Sequence, residues 1–291
     1  MRDFEFHSPA TLEEASALLT EYGDDGRMLA GGTGLVQLMK QRLAQPAHLI
    51  SLRRIPGLDQ IRHEADGLHI GALCSHQSVF TSPLVQEHCP LLVETYGHVA
   101  TPRIRNMATV GGGLAHADPN QDPPISLLAL DAMVNVASRN GEHTMPLDGF
   151  FVDYYETILE PGEIIKEVII PPALPDLATT FIKFLPRTAD DYATVSVAVA
   201  IELSRDNKTF YDTRIVLGSV GPTPMRVHLA EAFLNGQPIQ EQRLRSASRA
   251  VWDAVDPVDD FRGSAEYKRD MAALFTYRAL NKALGIQPDE A

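Results

Sequence analysis

Residues 29–35 read Leu-Ala-Gly-Gly-Thr-Gly-Leu, and residues 108–114 read Ala-Thr-Val-Gly-Gly-Gly-Leu. Each glycine-rich segment follows a short apolar run and can expose several backbone N–H groups without a Cβ in the way. Glycine permits positive φ values, and consecutive amides in such turns form concave anion sites. Two of these sites predict one ligand with a long phosphate-bearing body, such as a dinucleotide.

A Rossmann dinucleotide fold does not account for the two segments. Its G-x-G-x-x-G pattern requires glycine at positions where the sequence has Gln37 and His116. No acidic residue ends the strand predicted near Leu52 to bind a ribose hydroxyl. Because a lone glycine triplet is usually only a tight turn, the surrounding sequence has to identify the ligand.

The composition is that of an ordinary globular protein of 291 residues, long enough for two modest domains. The 25 Lys and Arg against 38 Asp and Glu give a net charge of −13, which disfavours nucleic acid and membrane partners. We expect no secretory signal and no membrane-spanning segment. Two cysteines, Cys74 and Cys89, supply neither a disulfide framework nor a set of metal-cluster ligands, so the expected location is the cytoplasm.

Periodicity predicts a compact βαβ unit around the first glycine segment. Thr11-Leu12-Glu13-Glu14 is a capping box that opens a helix, and Gly23 suits its end. A strand over 27–30, a helix over 35–43 and a strand over 48–52 follow. The two strands are therefore expected to be parallel.

Two hairpins are predicted further along, one turning at Asp66-Gly67 and the other at Asn140-Gly141. Other elements are expected at 84–100 (helix), 125–130 (helix) and 163–170 (strand). A proline-rich stretch, 171–178, is predicted to be a linker. Beyond it the expected elements are strands at 180–185, 193–203 and 210–220, then helices at 227–234, 240–254 and 264–284. Strands followed by helices are typical of an α+β domain.

A polar stretch at 114–124 follows the second glycine segment. From the residues alone, Asp122 is best interpreted as a helix cap; the alternative is that it accepts from a ribityl chain or a flavin edge. The ten histidines show no paired metal-ligand spacing, so no metal site is expected. No Ser-His-Asp arrangement or glycosidase-type carboxylate pair is present, so no catalytic residue is assigned.

Together these motifs resemble the FAD-binding medium subunit of molybdenum hydroxylases, the family of carbon monoxide dehydrogenase and xanthine dehydrogenase flavoproteins. The segments that carry the resemblance are 30–35, 55–58, 105–112, 115–119, Asp122, 160–163, 193–200, 222–224 and 262–267. They cover essentially the whole chain in order, and their combination is specific although each piece alone is not.

The resemblance implies an α+β fold with FAD bound by a non-Rossmann domain. This domain would comprise residues 1–175, with α/β subdomains of about 1–55 and 56–175. It would contain a small parallel sheet and a mixed or antiparallel sheet. An α+β domain with a three-stranded antiparallel sheet and helices would occupy residues 178–287.

The resemblance also implies which residues contact FAD: Ala30, Gly31, Gly32, Thr33, Gly34, Leu35, Thr109, Val110, Gly111, Gly112, Gly113, His116, Asp122, Leu159, Lys183 and Tyr192. Residues 30–34 would wrap the pyrophosphate and 109–113 the ribityl–phosphate region. Asp122 would bond the ribityl chain or nearby flavin atoms. Leu159 would pack on the flavin or adenine side, and Lys183 would lie near the ring system.

Two of these side chains have open interpretations. Tyr192 matches a family position that shields one flavin face, but a core tyrosine at the start of a strand is an equal alternative. His116 is expected to be structural or to contact the flavin, rather than to bind a metal.

The sequence departs from the family pattern at Gly34, where Asp, Ser or Glu is common, and at Gly113, where Asn is usual. Arg103 replaces a frequent Gln, and Met107 a frequent Arg or Lys. Losing the amide at 113 removes one hydrogen bond, worth about 0.5–1.5 kcal/mol. We expect weaker anchoring of FAD rather than its loss, or a larger amide cradle.

The implied function is electron transfer within a molybdenum-dependent hydroxylase. FAD on this chain would receive electrons from [2Fe-2S] clusters on a small partner subunit and pass them to a soluble acceptor. Hydroxylation would occur on a large molybdopterin subunit, in a dimer of heterotrimers. The alternatives are a free-standing FAD-dependent oxidase or reductase, and a regulator or scaffold that has lost its cofactor. The substrate and the terminal acceptor (NAD, oxygen, a quinone or a cytochrome) stay open.

Overall fold

A computed structural model of the chain describes residues 2–172, 176–186, 188 and 190–287. Its helices are α1 (Leu12–Tyr22), α2 (Thr33–Lys40), α3 (His76–Thr81), α4 (Pro83–His88), α5 (Pro90–Gly97), α6 (Pro102–Arg105), α7 (Val110–His116), α8 (Pro123–Ala129), α9 (His228–Ala232), α10 (Glu241–Ala254) and α11 (Ala265–Ala283). Its strands are β1 (Glu5–His7), β2 (Gly26–Leu29), β3 (His48–Ser51), β4 (Ile61–Glu64), β5 (Gly67–Gly71), β6 (Met133–Ser138), β7 (Gly141–Pro146), β8 (Phe151–Asp153), β9 (Glu156–Thr157), β10 (Ile164–Ile170), β11 (Ala178–Phe184), β12 (Val195–Leu203), β13 (Phe210–Gly218) and β14 (Met225–Arg226).

The chain forms two compact units, each discontinuous in sequence. The described residues of the first unit are 2–88, 101–117 and 132–172, and those of the second are 89–100, 118–131, 176–186, 188 and 190–287. The proposed single boundary between 175 and 178 stays a prediction, and residues 173–175 of the expected linker lie outside the described residues. Two short segments of the first 175 residues thus belong to the second unit.

The first unit contains a small parallel sheet in the order β1-β3-β2. It confirms the predicted βαβ arrangement. The Thr11 side chain accepts from the Glu14 amide at the start of α1, and Gly23 ends that helix with φ 49°. Strand β1 is absent from the sequence prediction because its three residues are too few to show a period.

The first unit also contains a five-stranded antiparallel sheet in the order β4-β5-β10-β6-β7. Both predicted hairpins are confirmed as its outer pairs. Central strand β10 reads Ile-Ile-Lys-Glu-Val-Ile-Ile, and most of its side chains are buried. This composition suits a strand paired on both edges.

The helical stretch predicted from residue 84 to about residue 100 is helical over most of its length but interrupted. The structure has three short helices there and just before it, α3, α4 and α5. Proline disfavours helical geometry in the residue before it. Ser82, before Pro83, and Cys89, before Pro90, accordingly have non-helical backbone angles.

The second unit is built on an antiparallel sheet in the order β11-β12-β13-β14. The sequence predicts three of these strands and misses β14, which has only two residues. Residues 195–201 of β12 are buried without alternation. Helices α8 and α11 both contact this strand, and the apolar core includes Val197, Val199 and Leu280. The predicted α+β character is confirmed.

Candidate functional site

The first glycine segment joins β2 to α2 and presents open amides. Gly32 is the N-cap of α2 and has φ 74°, a value that favours glycine. The first N–H groups of a helix have no partner within it. The amides of residues 32–35 have no hydrogen-bond partner among the described residues, and the segment is half-buried. The structure thus has the open amides expected of this segment, and their binding of an anion stays a prediction.

The second glycine segment differs from expectation. Residues 111–113 are the first turn of helix α7, and none has a positive φ. The Val110 amide donates to the Cys74 carbonyl (3.0 Å) and the Gly111 amide to the Ala72 carbonyl (2.9 Å). The expectation that these amides are exposed is therefore wrong.

The next two amides of this turn are also satisfied. The Gly112 amide donates to the Thr109 side-chain hydroxyl (3.2 Å), and the Gly113 amide donates to the Thr109 carbonyl (2.9 Å). Thr109 is the N-cap of α7 and stabilises its first turn from both groups.

Close packing, rather than a need for positive φ, explains why glycine occupies these positions. A Cβ on Gly111 would lie 2.5 Å from the Ala72 Cβ, and one on Gly112 would lie 2.6 Å from the Thr109 Oγ1. A Cβ on Gly31 would lie 1.9 Å from the Met107 carbonyl oxygen. The structure therefore brings the two glycine segments together, with the first against the residues that lead into the second.

His116 ends helix α7 in the same region of the first unit. Its imidazole lies beside Gly34 and is 5.2 Å from the Tyr155 ring, centroid to centroid. Leu159, also in the first unit, is half-buried in the segment between β9 and β10. Contact of either side chain with a cofactor stays a prediction.

Asp122 and Lys183 form a buried ion pair in the second unit. The Lys183 Nζ is 2.7 Å from the Asp122 Oδ2, and their side chains are 2% and 3% exposed. Asp122 occupies the N-cap position of α8 but makes no side-chain capping bond, so its interpretation as a helix cap is wrong. The Lys183 Nζ also donates to the His98 carbonyl (3.1 Å).

Burial dominates the electrostatics of this pair. Burial raises the pKa of Asp122 to about 6, although the Lys183 ammonium opposes this shift. The second oxygen, Oδ1, has no hydrogen-bond partner among the described residues. An unsatisfied buried carboxylate oxygen is costly unless a donor reaches it. It is thus a candidate acceptor for a ligand N–H or O–H group.

Tyr192 lies in the second unit just before β12 and is 48% exposed. Its interpretation as a core tyrosine is therefore wrong, and shielding of a flavin face stays a prediction. With Asp122 and Lys183, it belongs to the second unit, whereas the other predicted site residues belong to the first.

Sequence reasoning misses the carbonyls of Ala72, Cys74 and His98, which hold the second glycine segment and Lys183 in place. Backbone carbonyls carry no residue-specific signal, so no pattern in the sequence could identify them. Tyr155 has no motif either, although its φ of 58° places it in a region that non-glycine residues rarely adopt.

The first segment fits a phosphate-bearing ligand. Its open amides stand at the positive end of the α2 dipole, an arrangement that binds anions. The second glycine segment packs closely beside it without adding open amides. Neither segment carries an acidic side chain that would repel phosphate. No helix in the described part of the chain combines the length and apolar character needed to cross a bilayer.

Comparison with known families gives two matches along the chain. Residues 2–173 match the FAD binding domain in molybdopterin dehydrogenase. Residues 180–283 match the CO dehydrogenase flavoprotein C-terminal domain. The two matches together leave few residues uncovered.

Individual relatives are similar over nearly the whole chain. The carbon monoxide dehydrogenase medium chain of Hydrogenophaga pseudoflava is 38% identical over 280 residues, 96% of each protein. The nicotine 6-hydroxylase medium subunit of Paenarthrobacter nicotinovorans is 36% identical over 278 residues, again 96% of each.

Solved structures agree with these matches. The chain aligns with carbon monoxide dehydrogenase from Hydrogenophaga pseudoflava, in a form lacking the Mo-pyranopterin moiety, at a TM-score of 0.94 and 39% identity over 98% of both chains. Quinoline 2-oxidoreductase from Pseudomonas putida 86 aligns at a TM-score of 0.90 and 32% identity, also over 98% of both chains.

Proposed function

The chain belongs to the family of FAD-binding medium subunits of molybdenum hydroxylases, and we propose that it transfers electrons from the [2Fe-2S] clusters of a partner subunit through FAD to an external acceptor. The observation that carries the proposal is the open amide set of residues 32–35 in a chain that matches the family over nearly its full length. FAD supplies the ability to take up and release one or two electrons.

The first glycine segment is proposed to bind the pyrophosphate. Its amides would donate to phosphate oxygens, and the α2 dipole would stabilise their negative charge. Ala30 and Gly31 would let the backbone approach closely, and Leu35 would pack beside the ligand. With a chain net charge of −13, binding depends on these local donors rather than on a general basic field.

The second glycine segment is proposed to act by shape. The amides of residues 110–113 already have partners, and a Cβ on Gly111 or Gly112 would meet Ala72, Thr109 or Ala30 of this chain. Thr109–Gly113 would therefore shape the ribityl–phosphate region by packing closely against neighbouring backbone rather than by supplying new donors. His116 would fix the position of residue 34 in the first segment. This role requires a rigid α7, which the Thr109 cap provides.

The second unit is proposed to contribute Asp122, Lys183 and Tyr192. Asp122 would accept from the ribityl chain or the flavin through Oδ1, while Lys183 holds Oδ2 and fixes the carboxylate. Tyr192 would cover a flavin face with its exposed ring, and Leu159 of the first unit would pack on the flavin or adenine.

The relatives are named medium chains or subunits, which supports membership in a multi-subunit enzyme. We propose a large molybdopterin subunit, where hydroxylation occurs, and a small [2Fe-2S] subunit, assembled as a dimer of heterotrimers in the cytoplasm. The chain itself then needs no acid, base or nucleophile.

Two measurements test this function. The chain expressed alone and titrated with FAD is expected to bind one FAD per chain, measured by quenching of flavin fluorescence. The native complex is expected to contain three different chains, with cluster reduction preceding flavin reduction in a single turnover.

A colourless chain that takes up no FAD would instead support the scaffold alternative. A lone chain that turns over an organic substrate at the rate of the complex would support a free-standing oxidase or reductase.

A further inference from the structure

Three side chains with metal-ligand chemistry meet on the small parallel sheet of the first unit. Glu5 and His7 are two residues apart on β1, and strand geometry places such residues on the same face. Register pairs Glu5 with His48 on β3, so all three side chains share that face. None of these residues belongs to the glycine segments or to the ion pair of Asp122.

The separations of the ligand atoms suit one small cation. The His7 Nε2 is 3.1 Å from the His48 Nδ1. The Glu5 Oε2 is 3.5 Å from that Nδ1 and 3.9 Å from the His7 Nε2. Tetrahedral coordination with bonds of about 2.0–2.1 Å places ligand atoms roughly 3.3 Å apart. The three atoms therefore form nearly the triangular face that such an ion requires.

We propose that Glu5, His7 and His48 form a binding site for a divalent first-row transition metal ion, with Zn²⁺ as the best match. Two imidazoles and a carboxylate are borderline donors of the kind that zinc prefers, whereas Mg²⁺ and Ca²⁺ take oxygen ligands. Glu5 is 74% exposed, so solvent reaches the group and a water completes the coordination.

The neighbourhood of His48 holds the site in place. The Tyr22 ring stacks on the His48 ring at 3.7 Å and 8°. This contact restricts rotation of the imidazole and keeps Nδ1 directed at its two partners. The ion would link β1 to β3 through side chains, adding to the main-chain pairing of a three-residue strand.

A second cluster in the same unit, Glu64, Asp66 and His69, is less suited to a cation because a fixed positive charge lies against it. There the Arg62 guanidinium is 2.8 Å from a Glu64 oxygen and 2.9 Å from a Glu167 oxygen. A fixed positive charge against these carboxylates disfavours a cation. No arginine or lysine ion pair involving Glu5 is found among the described residues.

The test uses the full chain, purified without a histidine tag and stripped with a chelator. Zn²⁺ is titrated in competition with a chromophoric chelator, and Co²⁺ provides a visible spectrum that reports coordination number. We expect saturable binding of one Zn²⁺ at this site, a four-coordinate Co²⁺ spectrum, and a higher thermal unfolding midpoint with Zn²⁺.

His7→Gln and His48→Gln are each expected to weaken Zn²⁺ binding at least about tenfold, since even changes beside metal ligands cost ~10–100-fold. The matched control is His143→Gln, which removes a half-exposed histidine 3.5 Å from a single glutamate, Glu163. It is expected to leave affinity unchanged. Circular dichroism of each variant checks that it is folded.

The proposal is overturned if the wild-type chain binds no Zn²⁺, or if both variants, folded, bind it as tightly as the wild type. A wild-type chain in which His7 and His48 share only a hydrogen bond gives the first of these results. FAD content is not a readout of this site, so failure here leaves the proposed electron-transfer function untouched.

Discussion

The imidazole of His116 occupies the space that a side chain at residue 34 would need: a Cβ built on Gly34 would be 2.8 Å from the His116 Nε2. Gly34 and His116, which are far apart in the sequence, are thus in direct contact in the structure. Glycine at residue 34 leaves room for the His116 ring, which gives a packing reason for glycine at this position. Its effect on the binding of FAD stays a prediction.

Gly34→Ala is expected to lower the free energy of unfolding by about 1 kcal/mol, the low end for overpacking, because the contacting atom is on a movable side chain. In a His116→Ala background the same change should be neutral or stabilising by up to about 1 kcal/mol, since alanine is favoured over glycine in a helix. Urea unfolding of the four proteins measures the coupling. Equal effects in both backgrounds would show that the two residues are independent.

Gly31→Ala is expected to be severe. The new Cβ would lie 1.9 Å from the Met107 carbonyl oxygen, and a backbone atom, unlike the end of a side chain, cannot move aside easily. The expected loss is about 3 kcal/mol or more, at or above the upper end for overpacking, together with reduced FAD affinity. Urea unfolding and flavin fluorescence measure the two. Gly221→Ala, whose nearest contact would be a methionine methyl at 3.4 Å, is the matched control and should cost little.

Thr109→Val is expected to cost about 1 kcal/mol, the usual loss for a helix N-cap. It removes the oxygen that accepts from the Gly112 amide and leaves that amide free. Thr109→Ser keeps the hydroxyl and should retain most of the stability. Thermal unfolding and FAD content are the measurements. If the valine and serine variants had the same thermal unfolding midpoint, the side-chain cap would contribute nothing to stability.

Lys183→Met is expected to lower the free energy of unfolding by about 3 kcal/mol at pH 8, because it leaves a buried carboxylate unpaired. The pKa of Asp122, about 6 with Lys183 present, should rise further without it. An acid whose pKa is higher folded than unfolded loses stability as pH rises through the folded value. The variant should therefore be closer to wild type at pH 5 than at pH 8.

Urea unfolding at the two pH values measures this effect. The matched control is Lys166→Met, which breaks the exposed pair of Lys166 with Glu142, and it should cost less than about 1 kcal/mol. A Lys183 variant with the same loss at both pH values would contradict the assignment of the charge to Asp122.

Local signals in the sequence predict much of the fold. The capping box at Thr11 and the dipeptides Asp66-Gly67 and Asn140-Gly141 act within a few residues, and the structure confirms the helix and both hairpins. The effect of Pro83 and Pro90 on the residue before each is equally local, and it explains the helix break that the predicted helical stretch over 84–100 does not include. Strand β1 depends on pairing with β3, which no local pattern reveals.

The site depends more on distant partners. The second glycine segment forms the start of helix α7 because Thr109 caps it and because the Ala72 and Cys74 carbonyls accept hydrogen bonds from its first amides. Glycine disfavours helices, so local propensity indicates a turn instead. Asp122 does stand at the N-cap predicted for it, but its carboxylate turns to Lys183, sixty-one positions along the chain.

The interleaving of the two units limits how such a chain can be recombined. Residues 89–100 and 118–131 carry α5 and α8, whose Thr95 and Ser126 hydroxyls bond at 2.6 Å within the second unit. A gene fusion or exchange made at the proline-rich stretch would transplant the C-terminal sheet without these two helices. Chimeras of two relatives are therefore expected to fold only if residues 89–100, residues 118–131 and the C-terminal part of the second unit all come from the same parent.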